Sequence, residues 1–101
     1  MPVFTVEIGG RATLVCAAHG YDGAVAFAEE PFIRSELRNI AGIDGKPLWD
    51  GAAEIAVRPA QHFEREVFEI GLLDALRCQV IESREDAIDG GCFSFLVPYT
   101  D

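Results

Sequence analysis

Basic residues are scarce in this chain: eight Lys and Arg stand against seventeen Asp and Glu, a formal net charge of −9 at pH 7. A surface so negative repels phosphate backbones and anionic lipid, so no nucleic acid and no membrane is expected as a partner. Cysteine is also sparse. Cys16, Cys78 and Cys92 are an odd set without a close repeat, whereas small secreted domains carry an even, dense set. They read as reduced core thiols. No apolar run approaches the roughly 18 residues of a membrane-spanning helix. The N-terminus has no basic region, and the apolar stretch over 12–18 is short and bounded by polar residues, so no signal peptide is expected and a cytoplasmic location follows by default. No phosphate-loop, dinucleotide, nucleophile-elbow or nuclease spacing occurs.

Apolar residues, by contrast, make up 50% of the 101 positions, seven of them Phe. A chain of this size buries roughly 65% of the surface its unfolded form exposes, enough for one core. Residues 1–101 are therefore expected to form a single domain.

Alternation opens the chain: Phe4, Val6 and Ile8 point one way, Val3, Thr5 and Glu7 the other, as in a half-buried strand. After Gly9-Gly10, Ala12, Leu14, Cys16 and Ala18 alternate with Thr13, Val15, Ala17 and His19. Two such runs joined by Gly-Gly predict a hairpin, because both turn residues can take positive φ. Asp22 is the expected N-cap of a helix carrying Ala24, Phe27 and Ala28. Pro31 should break it and open a second helical piece with Ile33, Leu37 and Ile40 on one face. Residues 41–51 are turn chemistry around a lone Trp. Ile55 and Val57 predict a third strand that Pro59 ends.

Residues 60–76 predict a second helix with two adjacent stripes, Phe63, Val67, Ile70 and Phe68, Leu72, Leu76. Gly71 argues against it at about 1 kcal/mol relative to Ala, and a strand over 66–70 is the rival. Val80 and Ile81 suit a brief strand. Residues 82–91 read as an exposed acidic connection with a capping-box-like Ser83 and Asp86. The last run, 92–97, places Phe93, Phe95 and Val97 opposite Cys92, Ser94 and Leu96. Apolar residues on both faces suit a strand covered on both sides, or an edge in a dimer. The expected fold is α+β: a four-stranded, mostly antiparallel sheet in the order β-β-α-β-α-β, with two helices packed on one face.

Candidate chemistry is thin. Cys16 and His19 are three apart, a spacing that converges on a helix but diverges on a strand. No second close pair completes a zinc site, so no metal and no cofactor is expected. A Cys–His nucleophilic pair would need an exposed thiol, and strand thiols are buried. His62 reads as a surface residue. Glu54 and Arg58 share a strand face, where Arg58 either clamps a carboxylate or phosphate or pairs with a neighbouring strand's charges. Glu85, Asp86 and Asp89 lack the spacing of a calcium loop. Trp49 either plugs the core or makes a contact surface, with Asp50 bonding turn amides. The ligand-binding candidates are Trp49, Asp50 and Arg58 around a small groove.

The composition and the missing motifs point away from catalysis, toward a protein-interaction or assembly domain whose partner is another protein or a second copy, as a homodimer. The alternative is a small ligand-binding protein or enzyme with a pocket near Trp49 and Arg58. A weaker one is an acidic inhibitor that mimics nucleic acid.

Overall fold

A computed structural model of the chain describes residues 2–77, 93–97 and 99–100. Strands β1 (Val3–Ile8) and β2 (Arg11–Ala17) form the expected hairpin. Gly9 and Gly10 turn it with φ of 60° and 83°, a left-handed pair that side chains with a Cβ rarely adopt. Helix α1 (Tyr21–Glu29) follows, and α2 (Pro31–Asn39) starts with Pro31 at its first turn. The break expected at Pro31 is present because its ring fits a helix start but not a helix interior. The expected cap is not: Gly20, in extended backbone, is the N-cap of α1, and Asp22 lies inside the first turn, where its charge still favours the helix dipole.

A two-residue strand β3 (Ala41–Gly42) pairs with β6 (Tyr99–Thr100). Strand β4 (Ile55–Pro59), helix α3 (His62–Arg77) and strand β5 (Phe93–Phe95) complete the described elements. The sheet is four-stranded in the order β4-β1-β2-β5, antiparallel throughout, so the α+β expectation holds. The readings made for Val80, Ile81, Ser83, residues 82–91, Cys78, Cys92 and Pro98 lie outside the described residues.

Two helices do pack on one face, but they are the two halves of the segment that Pro31 divides. Phe4, Val6, Ile8, Leu14 and Cys16 meet Ala24, Ala28, Ile33 and Leu37 there. Helix α3 covers the opposite face instead, with Phe68 and Leu72 against Val3, Val15 and Ala17. The physical reason lies in the hairpin, whose second face carries apolar Val3, Val15 and Ala17 beside the buried hydroxyl of Thr5. Such a face needs cover, so β1 and β2 are buried on both sides rather than half-buried.

Helix α3 forms despite Gly71. A Cβ built on Gly71 would lie 2.6 Å from Ser94 Oγ, so glycine lets α3 approach β5 closely. The helix buries Glu64, Phe68 and Leu72, spaced four apart. Of the two expected stripes, that of Phe68 and Leu72 faces inward, while Phe63 and Ile70 face out. Glu64 accounts for this rotation, because its carboxylate is held beneath the helix by groups on β1 and β4.

Candidate functional site

The Trp49 loop is positioned by the end of α2. The last carbonyls of a helix lack intrahelical partners, and here the loop supplies them: Trp49 N donates to Leu37 O at 2.9 Å and Leu48 N to Ile40 O at 3.0 Å. Trp49 Nε1 then donates to Ala53 O at 2.9 Å, and the half-buried ring packs against the α1–α2 core. Asp50 Oδ1 accepts from Ala52 N and Ala53 N at 2.8 Å each. Those two amides hold its carboxyl below the usual range, and Asp50 closes the turn as expected. Gly51, at φ 91°, brings the chain against Arg38, whose Cζ and Nε would lie 3.6 Å from a Cβ there.

An open groove of about 490 Å³ runs beside the ring, lined by Pro31, Arg34, Ser35, Arg38, Asn39 and Trp49. The Arg34 guanidinium stands 5.3 Å above the indole, a cation–π contact, and Arg34 Nε donates to Ala28 O at 3.2 Å. Asn39 Nδ2 donates to Ser35 Oγ at 3.4 Å. Among the described residues no carboxylate forms an ion pair with Arg34 or Arg38.

Arg58 does not join this groove. It alternates on β4 with Val57, which packs toward α1 and α2, so it projects from the opposite face, under α3. Its register partner is Thr5. There its Nη1 and Nη2 each donate to Glu64, to Oε1 and Oε2, at 2.8 Å, and its Nε donates to Glu7 Oε2 at 3.0 Å. The carboxylate clamp read from the sequence is thus filled from within the chain. Glu64 Oε1 also accepts Thr5 Oγ1 at 2.9 Å and Gln61 N at 2.7 Å. The second of these is the reach-back of a capping box, from the third helical position to the residue ahead of α3. The Arg58 hydrogen bonds, reinforced by Gln61 N and Thr5, bring the Glu64 carboxyl down to about 2 against the opposing cost of burial. Arg58 is raised reciprocally, first by Glu64 and then by Glu7.

Cys16 and His19 do not converge: Cys16 lies on β2, and His19 lies two residues past the strand's end, in the bend before α1, rather than on the strand as expected. Cys16 is fully buried in the α1–α2 core and His19 is exposed. Burial alone pushes the Cys16 thiol up to about 12, where its nucleophilic form is negligible at neutral pH. Among the described residues no group of three or more His, Cys, Asp or Glu is placed to hold a metal ion. His62 is exposed, with Nε2 2.9 Å from Glu66 Oε1. No helix among the described residues is long and apolar enough to cross a membrane.

Sequence reasoning missed Arg34, Ser35, Arg38 and Asn39. Their signal was available: two arginines four apart, each followed by a small polar residue, form one polar stripe of a helix in an acidic chain. Comparison with protein-family models, with curated proteins and with solved structures finds no match to this chain.

Proposed function

We propose that the chain is a non-catalytic protein-binding domain that acts through contact with a second copy of itself. The observation that carries this reading is the outer face of α3, where Phe63, Ile70 and Leu73 are 57%, 70% and 51% exposed. The inner face of the helix is already spent on the sheet, so this second apolar stripe serves no intramolecular packing among the described residues. A twofold dimer is its simplest occupant, because a twofold axis sets the same patch of both copies against itself, with the exposed His62–Glu66 pair on the same face. Burying one such side chain gives roughly 1–2 kcal/mol. The displaced titrating groups support a non-catalytic role. Cys16, Asp50, Arg58 and Glu64 are each shifted by burial or by bonds that hold the fold together, not tuned in a cleft.

Sedimentation equilibrium at micromolar concentration tests the reading. A dimer is expected, tightening as salt screens the like charge of the two copies, and Ile70→Glu should give a folded monomer. A wild-type monomer at all salt concentrations refutes it. A second reading, a small ligand-binding domain, is favoured by the open groove beside Trp49.

A further inference from the structure

We propose that the groove between α2 and Trp49 binds a phosphomonoester, with Arg38 and the outer nitrogens of Arg34 gripping the phosphate. This rests on the second reading above, that the groove is a ligand site, and is independent of dimer formation.

Charge in the groove runs against the rest of the chain. The molecule carries −9 overall, yet the side chains lining this groove are two arginines, a serine, an asparagine, a proline and a tryptophan, with no acid among them. The arginines lie four apart on α2, where like charges repel and weaken a helix unless something neutralises them. Glu29 and Glu54 share a neighbouring pocket with Arg34, but among the described residues no carboxylate comes within ion-pair distance of either arginine. Among the described residues Arg34 gives its Nε to Ala28 O and its face to Trp49, and Arg38 approaches Gly51 without an ion pair. Asp50 lies next to Trp49 but does not line the groove, and its Oδ1 is engaged by Ala52 N and Ala53 N.

The end of α2 would ordinarily repel an anion through its free carbonyls. Two of them are occupied, Leu37 O by Trp49 N and Glu36 O by Ile40 N. Guanidinium forks match phosphate oxygens in planar pairs, and Ser35 and Asn39 add a hydroxyl and an amide at the same wall. Two cations favour a dianion over a monoanion, which selects a phosphate monoester over a carboxylate. Trp49 supplies an apolar surface for the organic part. A volume of about 490 Å³ is within the range of small-molecule pockets.

The chain has a single Trp, which sits in the proposed site, so its fluorescence reports binding directly. The full chain is titrated with phenyl phosphate and with benzoate, ionic strength being matched with sodium chloride, and calorimetry repeats each titration. Phenyl phosphate should saturate the signal, more tightly than benzoate. Its affinity should rise as pH climbs through about 6, where the second phosphate proton leaves. Arg38→Gln should weaken binding about tenfold or more, the loss of a bidentate charged pair. Arg65→Gln, an equal charge change on α3, should leave binding unaltered, and circular dichroism confirms that both variants are folded. Benzoate binding as tightly as phenyl phosphate would overturn the phosphate assignment while leaving a ligand groove. No saturable signal with either compound would overturn both. Equal losses in the two variants would reduce the effect to general charge and likewise overturn the site.

Discussion

Replacing Glu64 with Gln removes the charge from a carboxylate whose side chain is 1% exposed while leaving its shape. The two Arg58 hydrogen bonds at 2.8 Å lose their ionic character, and Arg58 keeps only Glu7 as a charged partner. A carboxyl brought down to about 2 from the ordinary 4.5 of a glutamate corresponds to about 3 kcal/mol of folding free energy at neutral pH. That agrees with the roughly 3–5 kcal/mol lost when one partner of a buried ion pair is removed. Because the folded pKa is depressed, the contribution is complete above the unfolded pKa and disappears as pH falls through the folded one. Urea denaturation of wild type and Glu64→Gln should therefore differ by about 3 kcal/mol at neutral pH, and the gap should close between about pH 4.5 and pH 2. A gap that stays constant across that range refutes the ion-pair account, as does a Gln variant as stable as the wild type. Should Glu64→Gln fail to fold, the pair Arg58→Met with Glu64→Leu should restore folding, since matched apolar partners avoid an orphaned charge. A double variant that also fails to fold would count against the account too.

The close approach of α3 and β5 predicts coupling between Gly71 and Ser94. Alone, Gly71→Ala sets about 1 kcal/mol of helix propensity against an overpacking cost of similar size, so little net change is expected. With Ser94→Ala, which removes the oxygen 2.6 Å from the new methyl, the same substitution should stabilise by about 1 kcal/mol; thermal denaturation giving strictly additive effects would refute the contact. Cys16, whose thiol is pushed up to about 12 by burial, should resist alkylation in a variant with Cys78 and Cys92 replaced by Ser. Its modification should track global unfolding in a denaturant series, and rapid labelling of the native protein would refute its burial.

The parts of this fold legible in the sequence are those governed by neighbours along the chain. Gly9-Gly10 specifies its turn through backbone conformation, Pro31 divides two helices through its ring, and alternation in 3–8 and 11–17 separates the two faces of a hairpin. The parts that escaped depend on which surfaces meet. Val3, Val15 and Ala17 announce a second apolar face, but not which helix will cover it. The two stripes of α3 are equally hydrophobic on paper, and a charged residue between them, Glu64, decides which goes inward. A buried glutamate runs against composition rules, and only the long-range partners Thr5 and Arg58 make it the preferred inner residue. The same blindness explains the site. Trp49 and Arg58 lie nine positions apart in the chain and look like neighbours, yet the parity of β4 sends Arg58 through the sheet to α3. Arg34 and Arg38, on an earlier helix, reach Trp49 because the loop's N–H groups complete the last turn of α2. A hydrogen-bonding need at a helix end, rather than proximity in sequence, therefore determines which cations stand beside the indole.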